Sequence, residues 1–328
     1  MIKIRLLALA LAVCGELSGA FGSTISENFS VNPLQDGWRI FGKTNLFEWD
    51  STNQNLRVTW DSDQPDSYFY HSLGTIIARD DDFSLAFDLL LSEPPGPDPG
   101  PKTNTFEIAV GFVNLDQATQ TNFLRGTGTD SPDLVEFDYF WDSGFGATVY
   151  PAFVDTNGTF NYNGPSDYAI FSLQPDDWYH IAMNYSASNQ TVTTTITNFE
   201  ATSGVRLIES INTNFADYRL GAISINSYSD AGEDPQYAGS VLVSGVIDNL
   251  VVTVPDPPLS TVAFSVSNGS WRAQFTGLTN WWYTLERTSD FQKWVVTSPT
   301  VPGNGSQLVL ADTNAPAASA FYRVGASR

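Results

Sequence analysis

Beyond residue 14 the chain has no cysteine, and Cys14 itself lies in an apolar N-terminal run. Without a second thiol no internal disulfide can form, and thiolate metal sites and thiol nucleophiles are excluded from the rest of the chain. Histidine is almost as scarce, with only His71 and His180, and no zinc-ligand spacing appears. Basic residues are few: 15 Lys and Arg stand against 36 Asp and Glu in 328 residues, a formal charge of −21. Nucleic acid as a partner is thereby excluded, because neutralising phosphates needs clustered Lys and Arg. No apolar run is long enough to span a bilayer, so no transmembrane segment is expected. Amphipathic helical periodicity, a phosphate loop and a dinucleotide-binding glycine pattern are missing as well.

The start of the chain carries a different signal. Lys3 and Arg5 precede an apolar run from Leu6 to Val13, and Ala20-Phe21-Gly22 offers small residues before Ser23. This is the layout of a secretory signal peptide over residues 1–22. It predicts export, and a mature protein that is secreted or held at the cell surface. Val13 stands where a lipoprotein signal needs a small residue before its cysteine, which argues against lipidation of Cys14. Removing the signal leaves 13 basic and 35 acidic residues, net −22. Such acidity suits either a well-solvated surface or a protein that binds calcium.

Apolar residues make up 42% of the chain and aromatics 13%, enough for a real core. Phe83, Leu85, Phe87, Leu89 and Leu91 alternate with Ser84, Ala86 and Asp88, and Phe106, Ile108, Val110 and Phe112 repeat the period. Tyr179, Ile181, Met183 and Tyr185 do so again, before a turn at Ser188-Asn189-Gln190 and a threonine-rich strand from Thr191 to Thr197. Many short alternating strands broken by Gly, Asn and Asp predict an all-β antiparallel sandwich. The proline-rich run from Glu93 to Pro101 cannot pair in a sheet, so it is expected to form a surface loop. Val254-Pro255-Asp256-Pro257-Pro258 is a stiff linker after a final strand from Ser240 to Thr253. The organisation expected is a domain over 23–254, a linker over 255–260 and a small Ig- or fibronectin-like sandwich over 261–328. In that last piece Asn268-Gly269 predicts a hairpin turn. Trp281, Trp282 and Trp294 are either core anchors or a platform on which a sugar stacks.

In the middle of the chain, Leu134-Val135-Glu136-Phe137-Asp138-Tyr139-Phe140-Trp141-Asp142 sets carboxylates into an apolar strand. Strand side chains alternate, so Glu136, Asp138, Phe140 and Asp142 share one face while Val135, Phe137, Tyr139 and Trp141 share the other. Paired carboxylates in such a setting need a cation, a proton or hydrogen-bond donors. They mark a metal or sugar site, or a satisfied structural network.

Three segments resemble the concanavalin A-like lectin and laminin G-like superfamily. They are Trp178 to Tyr185 with its turn and threonine-rich strand, the closing Ser244 to Val252, and Glu27-Asn28-Phe29-Ser30 with Gly37-Trp38. The resemblance spans roughly residues 23–254 and implies a two-sheet antiparallel jelly-roll with a ligand or metal site at one rim. Val135-Glu136-Phe137-Asp138 is also similar to the metal-binding strand of legume lectins. That likeness assigns Glu136 and Asp138 to the metal, with Asp142 as a further ligand and Phe140 as a carbonyl donor. Ala147 and Pro151 stand where that family has its next Asp and its His, so the resemblance implies a single calcium at most. The C-terminal piece resembles the short β-modules that end secreted bacterial proteins.

Sugar hydrolases of this fold carry acids at alternate positions of one strand. Here the acid position falls on Phe140 or Trp141. Glu136 and Asp142 lie six strand rises apart, about 20 Å, against the roughly 5 Å a retaining pair needs. The protein is therefore expected to be a non-enzymatic, carbohydrate-binding protein that recognises a polysaccharide or glycoconjugate, with a structural or adhesive surface protein as the alternative and a glycoside hydrolase as the third reading. Ligand-binding residues expected from the sequence are Trp141 and Asp142 at the rim, with Tyr228, Asp230 and Tyr237 from the loop before the final strand. His180 and Asp248 are expected to be hydrogen-bonded structural residues, and the Asp80-Asp81-Asp82 run to cap a turn.

Overall fold

The computed structural model describes residues 22–96, 102, 104–121, 123, 131–200, 203–232, 238–267, 269–316 and 320–328. The expected signal peptide, Cys14 and Tyr237 lie outside them. Two antiparallel sheets pack face to face as a jelly-roll. The eight-stranded sheet runs in the order Gly204–Ser210, Thr191–Asn198, Trp178–Ser186, Phe83–Leu91, Leu242–Val254, Asn55–Asp61 and Phe47–Asp50. Its eighth strand, Ser23–Glu27, pairs with the far half of Leu242–Val254, from Ser23 opposite Val254 to Glu27 opposite Leu250. The seven-stranded sheet runs Ala169–Ile170, Thr148–Val154, Leu134–Phe140, Glu107–Val113, Leu220–Ser227, Ser67–Ile77 and Arg39–Phe41.

The period-two apolar residues build the core between the sheets. Phe83, Leu85, Phe87, Leu89 and Leu91 are all at most 4% exposed. Phe83 meets Phe112 of the opposite sheet edge-on at 5.1 Å, and Phe87 meets Phe137 at 5.8 Å. Each such ring contributes about 1.5–3 kcal/mol by leaving water. One helix, Leu115–Ala118, breaks the expectation of none, but it is a single turn held by Asn114. The proline-rich run also makes one pairing that its composition argued against. Gly96, which has a carbonyl acceptor and no proline ring, accepts the Leu242 N–H at 3.1 Å.

Residues 263–327 form two smaller sheets, of three strands (Ala263–Ser267, Ser270–Thr276, Gln307–Asp312) and four (Trp282–Thr288 with Val295–Val296, Val301–Pro302 and Phe321–Ser327). Their core is Ala273, Phe275, Trp281, Tyr283, Leu285 and Leu310. Of the three tryptophans, Trp281 is the core anchor, Trp282 is 49% exposed and Trp294 is half-buried. This module touches the jelly-roll directly. Ile76 packs against its core and Arg328 binds Asp81, while the Tyr283 hydroxyl donates to the Pro258 carbonyl of the linker at 3.1 Å. Among the described residues no helix is long and apolar enough to cross a membrane.

Candidate functional site on the seven-stranded sheet

The carboxylate strand Leu134–Phe140 lies between Glu107–Val113 and Thr148–Val154. Val135, Phe137 and Tyr139 point into the core, so Glu136 and Asp138 turn to the outer face of the sheet. Small cross-strand neighbours make room for them. Glu136 lies between Gly111 and Ala152, and Asp138 between Ala109 and Tyr150. A Cβ on Gly111 would fall 2.3 Å from both Cα and Cβ of Glu136, so only glycine fits there.

Glu136 is wholly buried, and its Oε2 accepts hydrogen bonds from Asn226 Nδ2 and the Tyr228 hydroxyl, each at 2.8 Å. Tyr228 is 1% exposed, with its ring edge-on to Tyr68 at 5.9 Å and to Phe123 at 6.3 Å. Strand Leu220–Ser227 thus delivers two donors to a buried acid, as a charge-assisted network requires. Asp138 is equally buried. Asp142 is apart from both: it is exposed, and its Oδ1 accepts the Gly144 N–H at 2.9 Å to close the following turn. Among the described residues no three His, Asp or Glu side chains form a group able to hold a metal ion. Glu136, Asp138 and Asp142 therefore do not converge as one set of ligands.

The remaining sequence-derived residues are spread over different surroundings. Trp141 leaves the strand half-buried, packed against the core yet still reaching the surface beside Asp142. Asp230 is 7% exposed and committed to structure, with Oδ1 at 2.6 Å from Lys102 Nζ and Oδ2 accepting from the Ser62 hydroxyl at 2.7 Å. Tyr228 belongs to the buried network, so among the described residues of this set Trp141 and Asp142 are the two at the end of the strand.

Sequence reasoning missed what stands next to them. Gly144 (φ 89°) and Gly146 (φ 115°) adopt backbone angles that favour glycine and carry Phe145 out of the turn, 61% exposed. Its ring lies 5.5 Å from that of half-buried Tyr168. Ile170, paired with Thr148, is 58% exposed, and Tyr162 is 56% exposed. Phe160 stacks on Tyr150 at 5.4 Å. The available signal was the Gly-Phe-Gly triplet, because an aromatic between two turn glycines has no core to enter.

At the edge of the sandwich a second acid is buried. Glu209 is fully enclosed and receives a hydrogen bond from Asn161, whose carbonyl also accepts the Tyr150 hydroxyl at 2.6 Å. Burial outweighs that bond, and the charge of Asp167 adds to it, so the Glu209 carboxyl is pushed up to about 9. Asp155 shows the opposite balance. Burial alone would raise it, but the N–H groups of Thr159, Ala216 and Asn157 hold it below the usual carboxylate range.

On the outer face of the other sheet, His180 Nδ1 lies 2.7 Å from Asp88 Oδ1, and Asn249 Nδ2 donates to Oδ2 at 2.8 Å. Asp248 Oδ1 accepts the neighbouring Asn249 N–H at 2.7 Å, at the bulge where Asn249 takes φ 48°. Both residues are hydrogen-bonded, as expected from the sequence. Asp82 caps the Ala187 N–H at 2.8 Å and Asp81 that of Ala78 at 2.8 Å, which accounts for most of the acidic run.

No protein-family model matches the chain, and no curated protein sequence does. Solved structures similar to it include lectin II from Ulex europaeus, at 11% identity and TM-score 0.45, covering 71% of this chain and 99% of that one. Peanut lectin with a nine-residue peptide is similar at 12% identity and TM-score 0.43, with 71% and 99% covered. The Emp47p carbohydrate recognition domain is similar at 11% identity and TM-score 0.39, with 72% and 99% covered. The likeness to these structures is one of fold.

Proposed function

We propose that this is an exported, non-catalytic protein that binds a polysaccharide or glycoconjugate at the rim formed by Trp141, Asp142, Phe145 and Tyr168. The observation that carries the reading is exposed Phe145, paired with half-buried Tyr168, near the exposed carboxylate of Asp142. A sugar offers a CH-rich face that stacks on aromatic rings, and hydroxyls that need fixed polar partners. The rim supplies both on a rigid sheet edge. The buried Glu136 network serves it as scaffold, fixing the strand Leu134–Phe140 that leads into Trp141, and takes no part in bond cleavage. A glycan array on the purified mature protein, followed by titration of the best hit, tests the proposal. Phe145→Ala and Asp142→Ala are expected to weaken binding about tenfold each, which is about 1.4 kcal/mol, with unchanged thermal stability. An array without a bound glycan, or a hit indifferent to both changes, would sink it.

A further inference from the structure

The C-terminal module differs from the jelly-roll in charge. Residues 257–328 carry five basic and three acidic residues, net +2, whereas residues 23–256 carry eight and 32, net −24. The module also exposes a group of aromatic rings. Phe291 is 59% and Phe321 45% exposed, with centroids 4.0 Å apart, and Trp294 lies 6.3 Å from Phe291. The Arg323 guanidinium sits 4.2 Å over the Trp294 ring. Register accounts for the grouping. Thr288 faces Phe321, and Glu286 faces both Arg323 and Val296, so these side chains emerge on one sheet face.

Lys293, between Phe291 and Trp294 in sequence, also lines an open cleft of about 370 Å³ with Arg287, Thr288, Ser289, Asp290 and Pro316 among others; the rings themselves do not line it. Two of the three cations here already have carboxylate partners. Arg287 binds Asp312 at 2.6 Å and Arg323 binds Glu286 at 2.7 Å. Asp290 is turned into its own loop, accepting the N–H groups of Gln292 and Lys293, which hold its carboxyl below the usual range. Lys293 is exposed, and among the described residues its ammonium has no ion pair. The site therefore combines stacking rings, a shallow cleft and one uncommitted positive charge.

We infer that this face of the module is a second binding site, for an anionic polysaccharide. Pyranose faces stack on Phe291, Phe321 and Trp294, and Lys293 meets the acidic substituent of a sugar unit. A polyanion is repelled by the jelly-roll, whose charge is −24, and this module is the part of the chain that attracts it. A neutral glycan gains nothing from Lys293, so charge separates this site from the rim on the jelly-roll.

The test is affinity electrophoresis of the full chain in gels containing polygalacturonate, dextran sulfate or neutral dextran. Retardation is expected in at least one acidic gel and not in dextran, and it should fade as salt is added. The two acidic gels tell a carboxylate from a sulfate ligand. Lys293→Glu and Trp294→Ala should each reduce affinity about tenfold or more, equivalent to about 1.4 kcal/mol. Trp141→Ala should leave retardation intact, which keeps this result separate from the fate of the rim. Should Trp294→Ala fail to fold, Lys293→Glu decides alone, since it alters only an exposed side chain. No retardation in either acidic gel, retardation untouched by Lys293→Glu, or equal retention by single-stranded DNA would overturn the inference.

Discussion

Arg328 clasps Asp81 across the boundary between the two parts of the chain. Its Nη2 donates to Asp81 Oδ1 at 2.9 Å, its Nη1 binds the other carboxylate oxygen, and Nη1 also reaches the Ile76 carbonyl at 3.1 Å. The side chains are only 8% and 14% exposed, and the guanidinium lies 5.6 Å from the Trp281 ring centroid. A fork-to-fork pair shielded in this way is worth far more than a surface ion pair.

Arg328→Ala should therefore loosen the module's docking. Removing one partner leaves a nearly buried carboxylate with, among the described residues, only the Ala78 N–H, at a cost of about 1–3 kcal/mol. Limited proteolysis should cut faster within 255–260, while the glycan affinity of the jelly-roll stays the same. Cleavage at the wild-type rate would mean that Ile76 and Tyr283 hold the interface without it.

The Glu136 network gives a second expectation. Tyr228→Phe removes the hydroxyl that donates to a buried carboxylate while keeping the ring between Tyr68 and Phe123. It should lower unfolding stability by about 1–3 kcal/mol, read as a shift in denaturant midpoint at constant slope. A neutral result would show that Glu136 does not depend on that hydroxyl.

Glu209 and Asp155 predict how stability changes with pH. Glu209 has a folded value of about 9 against 4.5 for the free residue, so the folded state holds its proton longer. Its contribution is complete below about pH 4.5 and is lost as pH rises toward 9, by about 1.4 kcal/mol per pH unit at most. Glu209→Gln, a neutral isostere, should flatten that alkaline decline. Asp155 and Asp217 are depressed, so their contributions are present above about pH 4 and lost in acid. Melting temperatures from pH 3 to 10 should fall at both ends, and an alkaline limb unchanged in Glu209→Gln would remove Glu209 as its cause.

Calcium can be settled by a thermal shift. The same melting curve with millimolar calcium and with chelator would remove the metal from the carboxylate strand. A rise with calcium that Asp138→Ala abolishes would restore the metal that the strand pattern suggested, since a folded-state ligand raises stability by mass action.

Period-two alternation made the sheets legible. Every residue of the Phe83–Leu91 apolar series is buried, and the turn at 188–190 separates paired strands as its composition implied. Strand ends were less legible. The strand Val295–Val296 is only two residues long, and Trp294 just before it lies under Arg323. The outward turn of Glu136 and Asp138 followed from alternation, but their donors did not. Asn226 and Tyr228 lie about ninety residues away, and only the register of Leu220–Ser227 against Glu107–Val113 brings them over. Phe145 escaped for a related reason: exposure is a property of the finished turn, and hydrophobicity alone argues the other way.

The pairing of Ser23 with Val254 has a mechanical consequence. Ser23 and the start of the linker to the module thus lie side by side, at the same end of adjacent antiparallel strands. If the protein is held through its module and pulled from the N-terminal side, the load falls on that one pair and peels it open. The bonds from Ser23 to Glu27 then yield in sequence rather than together, and the rest of the sandwich carries no tension until the first strand has come away.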